Sequence, residues 1–196
     1  MKTLASVLIS LVLISFLLLA LPVSGEEALY DSVLRLHVLP ASDSAEDQNL
    51  KIAVRDAVLE KYGEALAEVQ SKEAAEAFLN EKRGEIEAFA NAFLKEKGID
   101  QAATVTLERE YFEARKYGEI TLPGGYYTAL KIKLGEGEGQ NWWCVLYPAL
   151  CTEAAMGERM SIAKEQLSES EYRLVTDSGY LVKFSALEIL DGIFGK

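Results

Sequence analysis

The sequence predicts an α+β fold: one domain in which an antiparallel sheet packs against two long amphipathic helices. Three observations lead there. Apolar residues recur at three- and four-residue spacing through two consecutive stretches, from Ala45 to about Val69 and from Ser71 to Gly98, the period of a helix with one buried face. Further on, apolar and polar residues alternate from Val105 to Tyr111 and from Thr128 to Leu134, the period of a strand. At 196 residues the chain is long enough for one domain with a substantial core.

The N-terminal segment 1–25 stands apart. Lys2 precedes an apolar run from Leu4 to Val23 without a charged residue, and the segment ends on Ser24 and Gly25. A basic start, an apolar middle and small residues at the end describe an export signal. The run is also long enough to serve as an uncleaved membrane anchor. Either way residues 26–196 form the exported domain, and membrane contact is expected only through the N-terminal segment.

Within that domain, VLRLHVL (Val33 to Leu39) alternates, with Leu34, Leu36 and Val38 on one face and Arg35 and His37 on the other, so a strand is expected. Pro40 ends it, and Asp43 or Ser44 is placed to cap a helix beginning near Ala45, with Glu46 and Asp47 in its first turn. Leu50, Val54, Val58 and Leu66 form its apolar stripe. Ser71 is the expected cap of the second helix, whose stripe runs through Phe78, Leu79, Ile86, Phe89, Phe93 and Leu94 to a stop at Gly98. Strands follow at Val105 to Tyr111 and, after the LPGG turn, at Thr128 to Leu134. WWCVLY reads as a strand buried on both faces, and YLVKF (Tyr180 to Phe184) as one more. Thr152 to Ser178 is weakly patterned, a helix with loops.

Charge narrows the function classes. There are 31 acidic and 20 basic residues, a formal net charge of −11, which argues against nucleic acid as a partner. No run of four or more basic residues occurs, so no polybasic patch draws the chain to an anionic membrane.

The densest segment is GEGEGQNWWCVLYPALC, Gly135 to Cys151. Its glycines do not make a phosphate cradle, because Gln140 stands where a dinucleotide fingerprint needs further glycine spacing, a strand follows, and Glu136 and Glu138 repel phosphate. A turn between strands is expected. Cys144 and Cys151 are the chain's two cysteines. A straight strand would hold them too far apart to bond, so a disulfide requires a chain reversal near Tyr147, Pro148 and Ala149; two buried thiols are the other reading. Trp142 and Trp143 are adjacent, so in a strand they face opposite ways, one expected in the core and the other at solvent or a partner.

The segments RLHVLPASDSAEDQNLKIAVRDAV, YGEITLPGGYYTALKIKLGEGEGQNWWCVLYPALC and SGYLVKFSALEIL resemble the stage II sporulation protein R family. The matching positions include Arg35, Asp43, Asp47, Gln48, Arg55, Asn141, Trp142, Trp143, Cys144 and Cys151. Pro40, Ala41 and the PGGYY loop depart from its usual pattern. The resemblance implies an exported forespore signal, secreted into the space between the forespore and mother-cell membranes. There it would activate a membrane-embedded sporulation aspartic protease of the mother cell, which processes an inactive sigma factor precursor. The partner-binding candidates are Asn141, Trp142 and Trp143, with Arg35 and Asp43 next.

The residues favour no enzyme. His37 is the chain's single histidine and lies on a strand beside Arg35, away from any candidate nucleophile. Glu136 and Glu138, the carboxylates a glycan hydrolase would use, sit on a glycine turn that does not fix their separation. Asp43, Glu46 and Asp47 lack the oxygen-ligand spacing of a calcium loop, so no metal or cofactor is expected. The competing reading is an exported cell-wall glycan binding module or hydrolase with a tryptophan as sugar platform.

Overall fold

The computed structural model describes residues 26–150 and 158–177, together with Ser6, Ser10 and Ile14. The rest of the N-terminal segment, Cys151 and the strand expected at Tyr180 to Phe184 lie outside the described residues. In chain order the elements are α1 (Glu26–Ser32), β1 (Leu34–Leu39), α2 (Ala45–Ala67), α3 (Lys72–Glu96), β2 (Ala103–Phe112), β3 (Arg115–Tyr117), β4 (Ile120–Leu122), β5 (Gly125–Leu134), β6 (Trp142–Tyr147), α4 (Arg159–Gln166) and α5 (Glu169–Thr176). The fold class is α+β, as the periodicities imply. No helix among the described residues is long and apolar enough to cross a membrane.

The helix ends follow local chemistry. Ser44 caps α2 by accepting from Asp47 N at 3.1 Å, and Ser71 caps α3 by accepting from Ala74 N at 3.2 Å; each side chain satisfies a donor the first turn leaves open. At the far end of α3, Gly98 adopts φ +71°, and its N–H bonds back to Lys95 O while Ile99 N reaches Leu94 O, both at 3.0 Å. That left-handed turn is what glycine allows at a helix end.

Four strands form one sheet in the order β2-β5-β1-β6, and β3 and β4 form a separate hairpin. β2 pairs antiparallel with β5 and β6 antiparallel with β1, but β1 runs parallel to β5, with Leu36 opposite Leu130. The sheet is therefore mixed where alternation alone led to an antiparallel expectation. Parallel neighbours need a long connection, and the α2–α3 pair followed by β2 provides it.

Both faces of the sheet are covered. Leu34, Leu36 and Val38 of β1, with Leu130 and Ile132 of β5, pack under Val54, Val58 and Leu66 of α2 and Leu79, Ile86 and Leu94 of α3. Truncating a fully buried member such as Leu36 or Ile86 to alanine costs about 2–5 kcal/mol. The opposite face carries a second cluster, in which Phe112, Tyr127, Ala129 and Val145 meet Leu29 of α1, Ile120 and Leu122 of β4, Ala163 of α4, and Leu174 and Val175 of α5. For this reason Arg35 and His37, on the polar side of the β1 alternation, are buried too.

The GEGEG segment is a turn between β5 and β6, anchored to the loop after β1. Gly139 N donates to Pro40 O at 3.1 Å and Glu138 N to Ala41 O at 3.3 Å. A Cβ on Gly139 would lie 2.2 Å from Ser42 O, so this glycine serves close backbone approach. Glu136 and Glu138 point to solvent.

Candidate partner-binding site

The site is built at the start of β6, where successive side chains alternate between the faces of the sheet. Trp142 packs at the edge of the larger core, and Arg55 of α2 lies over its ring at 4.4 Å. Trp143 packs at the edge of the smaller one, edge-on to Phe112 at 5.5 Å and to His37 at 6.0 Å, with Arg115 of β3 over its ring at 5.1 Å. Both indoles are half-buried, so the division into one core and one solvent-facing tryptophan is not what forms. The physical reason is that one arginine from each covering layer lies over a ring, its guanidinium a partial cover. Neither indole Nε1–H has an acceptor although both atoms are buried. Leaving such a donor unpaired costs about 1–3 kcal/mol.

Around these rings lies a cavity of about 480 Å³, lined by the two tryptophans, Cys144, Tyr117, Gly118, Asp56, Arg55, Arg115, Lys116 and Arg159. Among the described lining residues four are basic and one is acidic. Asp56 is committed to its neighbour, with Arg55 Nε 2.7 Å from its Oδ1. Arg159 Nε donates to Leu150 O at 3.0 Å.

Tyr117 connects the cavity to the interior. Its hydroxyl accepts from Arg35 Nη2 at 2.5 Å and donates to Trp143 O at 3.3 Å. Arg35 is 0% exposed, its guanidinium 4.2 Å from the Phe112 ring centre, and its Nε and Nη1 have no acceptor. Burial lowers its pKa against the opposing pull of Tyr117, and burial raises that of the Tyr117 phenol against the pull of Arg35. Each partner thus moderates the other's desolvation.

Of the candidates read from sequence, the structure brings Trp142, Trp143 and Cys144 into one cavity, with Asn141 exposed beside it. Arg35 lies beneath the surface, behind Tyr117. Asp43 is exposed but structural: its carboxylate accepts from Gln140 N at 2.6 Å and from Gln48 Nε2 at 3.3 Å, tying the turn before β6 to the start of α2. Lys51 reinforces that tie through Gln140 O at 2.8 Å. Cys144 is not a free thiol. Sequence reasoning missed Arg115, Lys116, Tyr117 and Arg159, and met Arg55 only as a family-matching position. A basic pair inside EARKYGE, in so acidic a chain, was the available signal.

Other polar groups are used in packing. His37 Nδ1 lies 2.7 Å from Glu110 Oε1, and Lys131 Nζ bridges Glu108 at 2.9 Å and Glu110 at 3.0 Å. Among the described residues no group of three or more His, Cys, Asp or Glu is placed to hold a metal ion.

A family model described as "Stage II sporulation protein R" matches residues 30–156. The chain belongs to this family. The protein of the same name from Bacillus subtilis (strain 168) is 39% identical over 121 residues, covering 62% of this chain and 54% of that relative. The chain thus spans about half the length of the curated relative it matches. No solved structure matches. The family match takes in Arg35, Arg55, the β3 hairpin and Trp142 to Cys144, and ends before Arg159. Membership gives the chain a role in sporulation.

Proposed function

We propose that this sporulation protein is an exported messenger that works by docking. It is made in the forespore and secreted into the space between the forespore and mother-cell membranes. There it binds and activates a membrane-embedded aspartic protease of the mother cell, which processes an inactive sigma factor precursor. The observation that carries the docking reading is a recess in which two half-buried tryptophans are ringed by four basic side chains. Tryptophan and arginine are the side chains that most often anchor protein interfaces. The messenger has no chemistry of its own.

The alternative, a glycan-binding module or hydrolase, needs an open indole face, and a guanidinium covers one face of each ring. A reporter of sigma factor precursor processing tests the messenger. Trp142→Phe and Trp143→Phe keep an aromatic ring but a smaller one in the cavity wall, so both are expected to fold and to process the precursor more slowly. Trp142→Ala and Trp143→Ala are expected to lose about 2–4 kcal/mol of stability as well, being half-buried. Normal folding and wild-type processing in all four variants would move the docking site elsewhere.

A further inference from the structure

The cavity has the opposite sign to its chain. The protein carries a formal net charge of −11, yet Arg55, Arg115, Lys116 and Arg159 surround the two tryptophans, and among the described residues Asp56 is the single acid of the lining, already paired to Arg55. We propose that this cavity is a carboxylate-binding site, and that its occupant is an acidic segment of the partner protein; the identity of that partner rests on the docking reading above.

The donors choose the ligand. The guanidinium and ammonium groups of Arg55, Arg115, Lys116 and Arg159 line the cavity, and such groups are donors only. A carboxylate offers acceptor lone pairs and negative charge together, and its bonds to cationic donors are the short, strong kind. Arg35 lies behind Tyr117, 0% exposed and without acceptors at Nε and Nη1, and extends the positive potential from below.

Size and shape narrow the choice further. About 480 Å³ accommodates an acidic side chain with flanking peptide, in the lower range of small-ligand sites, and is roomy for a lone inorganic anion. Sugar stacking is disfavoured because Arg55 and Arg115 lie over the rings. In an acidic chain that repels acidic partners at large, one cationic recess also sets the register of docking.

The chain's two tryptophans both line the cavity, so intrinsic fluorescence of the full chain reports on it directly. The probe is capped tetraglutamate, compared with capped tetraglutamine, inorganic phosphate and a muropeptide. Tetraglutamate is expected to give a saturable change that weakens with salt, and tetraglutamine to bind at least about tenfold more weakly. Arg115→Glu with Lys116→Glu, both at exposed positions, should abolish the response while leaving thermal unfolding unchanged.

Equal binding of tetraglutamine, or a response surviving the charge reversal, would overturn the carboxylate assignment. Phosphate binding as tightly as tetraglutamate would reduce the cavity to a general anion site, and tighter muropeptide binding would assign it to the cell wall; either result overturns the proposal. Precursor processing separates this inference from the docking reading. If tetraglutamate fails to bind but the tryptophan variants lose processing, docking stands and the carboxylate falls. If the charge reversal abolishes binding yet leaves processing intact, the site binds carboxylate but is not where the partner docks, and the proposed occupant is wrong.

Discussion

Arg35 illustrates how a buried charge is held by aromatic faces instead of an acid. It has one hydrogen-bond partner, Tyr117, and ring contacts with Phe112, Tyr127 and Tyr117 at 4.2, 5.1 and 5.8 Å. A desolvated cation so lightly paired adds little to stability, and apolar replacements of similar volume at such sites are often neutral or stabilising. Arg35→Met is therefore expected to unfold within about 1 kcal/mol of the wild type, or above it, in a denaturant titration. Its precursor processing is expected to fall, because Tyr117 loses its donor beneath the cavity. A large loss of stability would show instead that Arg35 is retained to hold the fold. Gly139 contrasts with it. The 2.2 Å approach of a built Cβ to Ser42 O forces backbone to move, so Gly139→Ala should destabilise by about 1–3 kcal/mol, measured by thermal unfolding. The bonds that Gly139 N, Glu138 N and Gln140 N donate to Pro40 O, Ala41 O and Asp43 would weaken with it.

At the scale of elements, the β1–β5–β2 face carries a polar ladder, His37 to Glu110 to Lys131 to Glu108. Burial raises the pKa of Glu110, but the hydrogen bonds from His37 and Lys131 outweigh it, and the carboxyl sits below its ordinary value. A carboxyl whose pKa is lowered by folding adds stability that is fully present above its unfolded pKa and is lost as pH falls through the folded one. The unfolding temperature is therefore expected to drop below about pH 4, and Glu110→Gln should flatten that acid limb. An unchanged acid limb in the variant would locate the acid sensitivity elsewhere, first at Asp47, whose carboxyl is lowered by hydrogen bonds from Ser42 and Gln101. The helices were legible element by element. Ser44, Ser71 and Gly98 act where the sequence places them, because capping is decided within one turn of chain. The β1–β5 pair was not, since alternation says which face a residue takes but not which strand lies beside it or in which direction.

Across the whole molecule, the proposed bridge between Cys144 and Cys151 belongs to the exported setting. The chain turns directly after β6, where Leu150 N donates to Pro148 O at 2.7 Å, and Cys144 is not a free thiol. Alkylation of the exported protein is expected to label no cysteine before reduction and two after it. Because the loop is small, Cys144→Ser should cost a few kcal/mol at most, roughly 2–3 by chain entropy. Labelling of both thiols without reduction would remove the bridge. The second layer over the sheet is a molecule-scale feature as well. It is assembled from α1, the β3–β4 hairpin, α4 and α5, each of eight residues or fewer, too short to show a hydrophobic period. This is why Arg35 and His37 looked like the polar side of β1 and are in fact enclosed.

By itself the sequence determined what depends on neighbours in the chain: two capped amphipathic helices, alternating strands, a glycine turn before WWCVLY, an acidic net charge and the family. Only the tertiary structure decided what depends on distant segments meeting. It ran β1 parallel to β5, covered the second face of the sheet, and left both tryptophans half-buried. It also gathered Arg55, Arg115, Lys116 and Arg159, from α2, β3 and α4, around a single cavity. Helix and strand periods are local consequences of backbone geometry, whereas a charged recess forms where separate layers end at the same place. The overall charge was readable by counting, but the position of its positive exception depended on the packing of three layers.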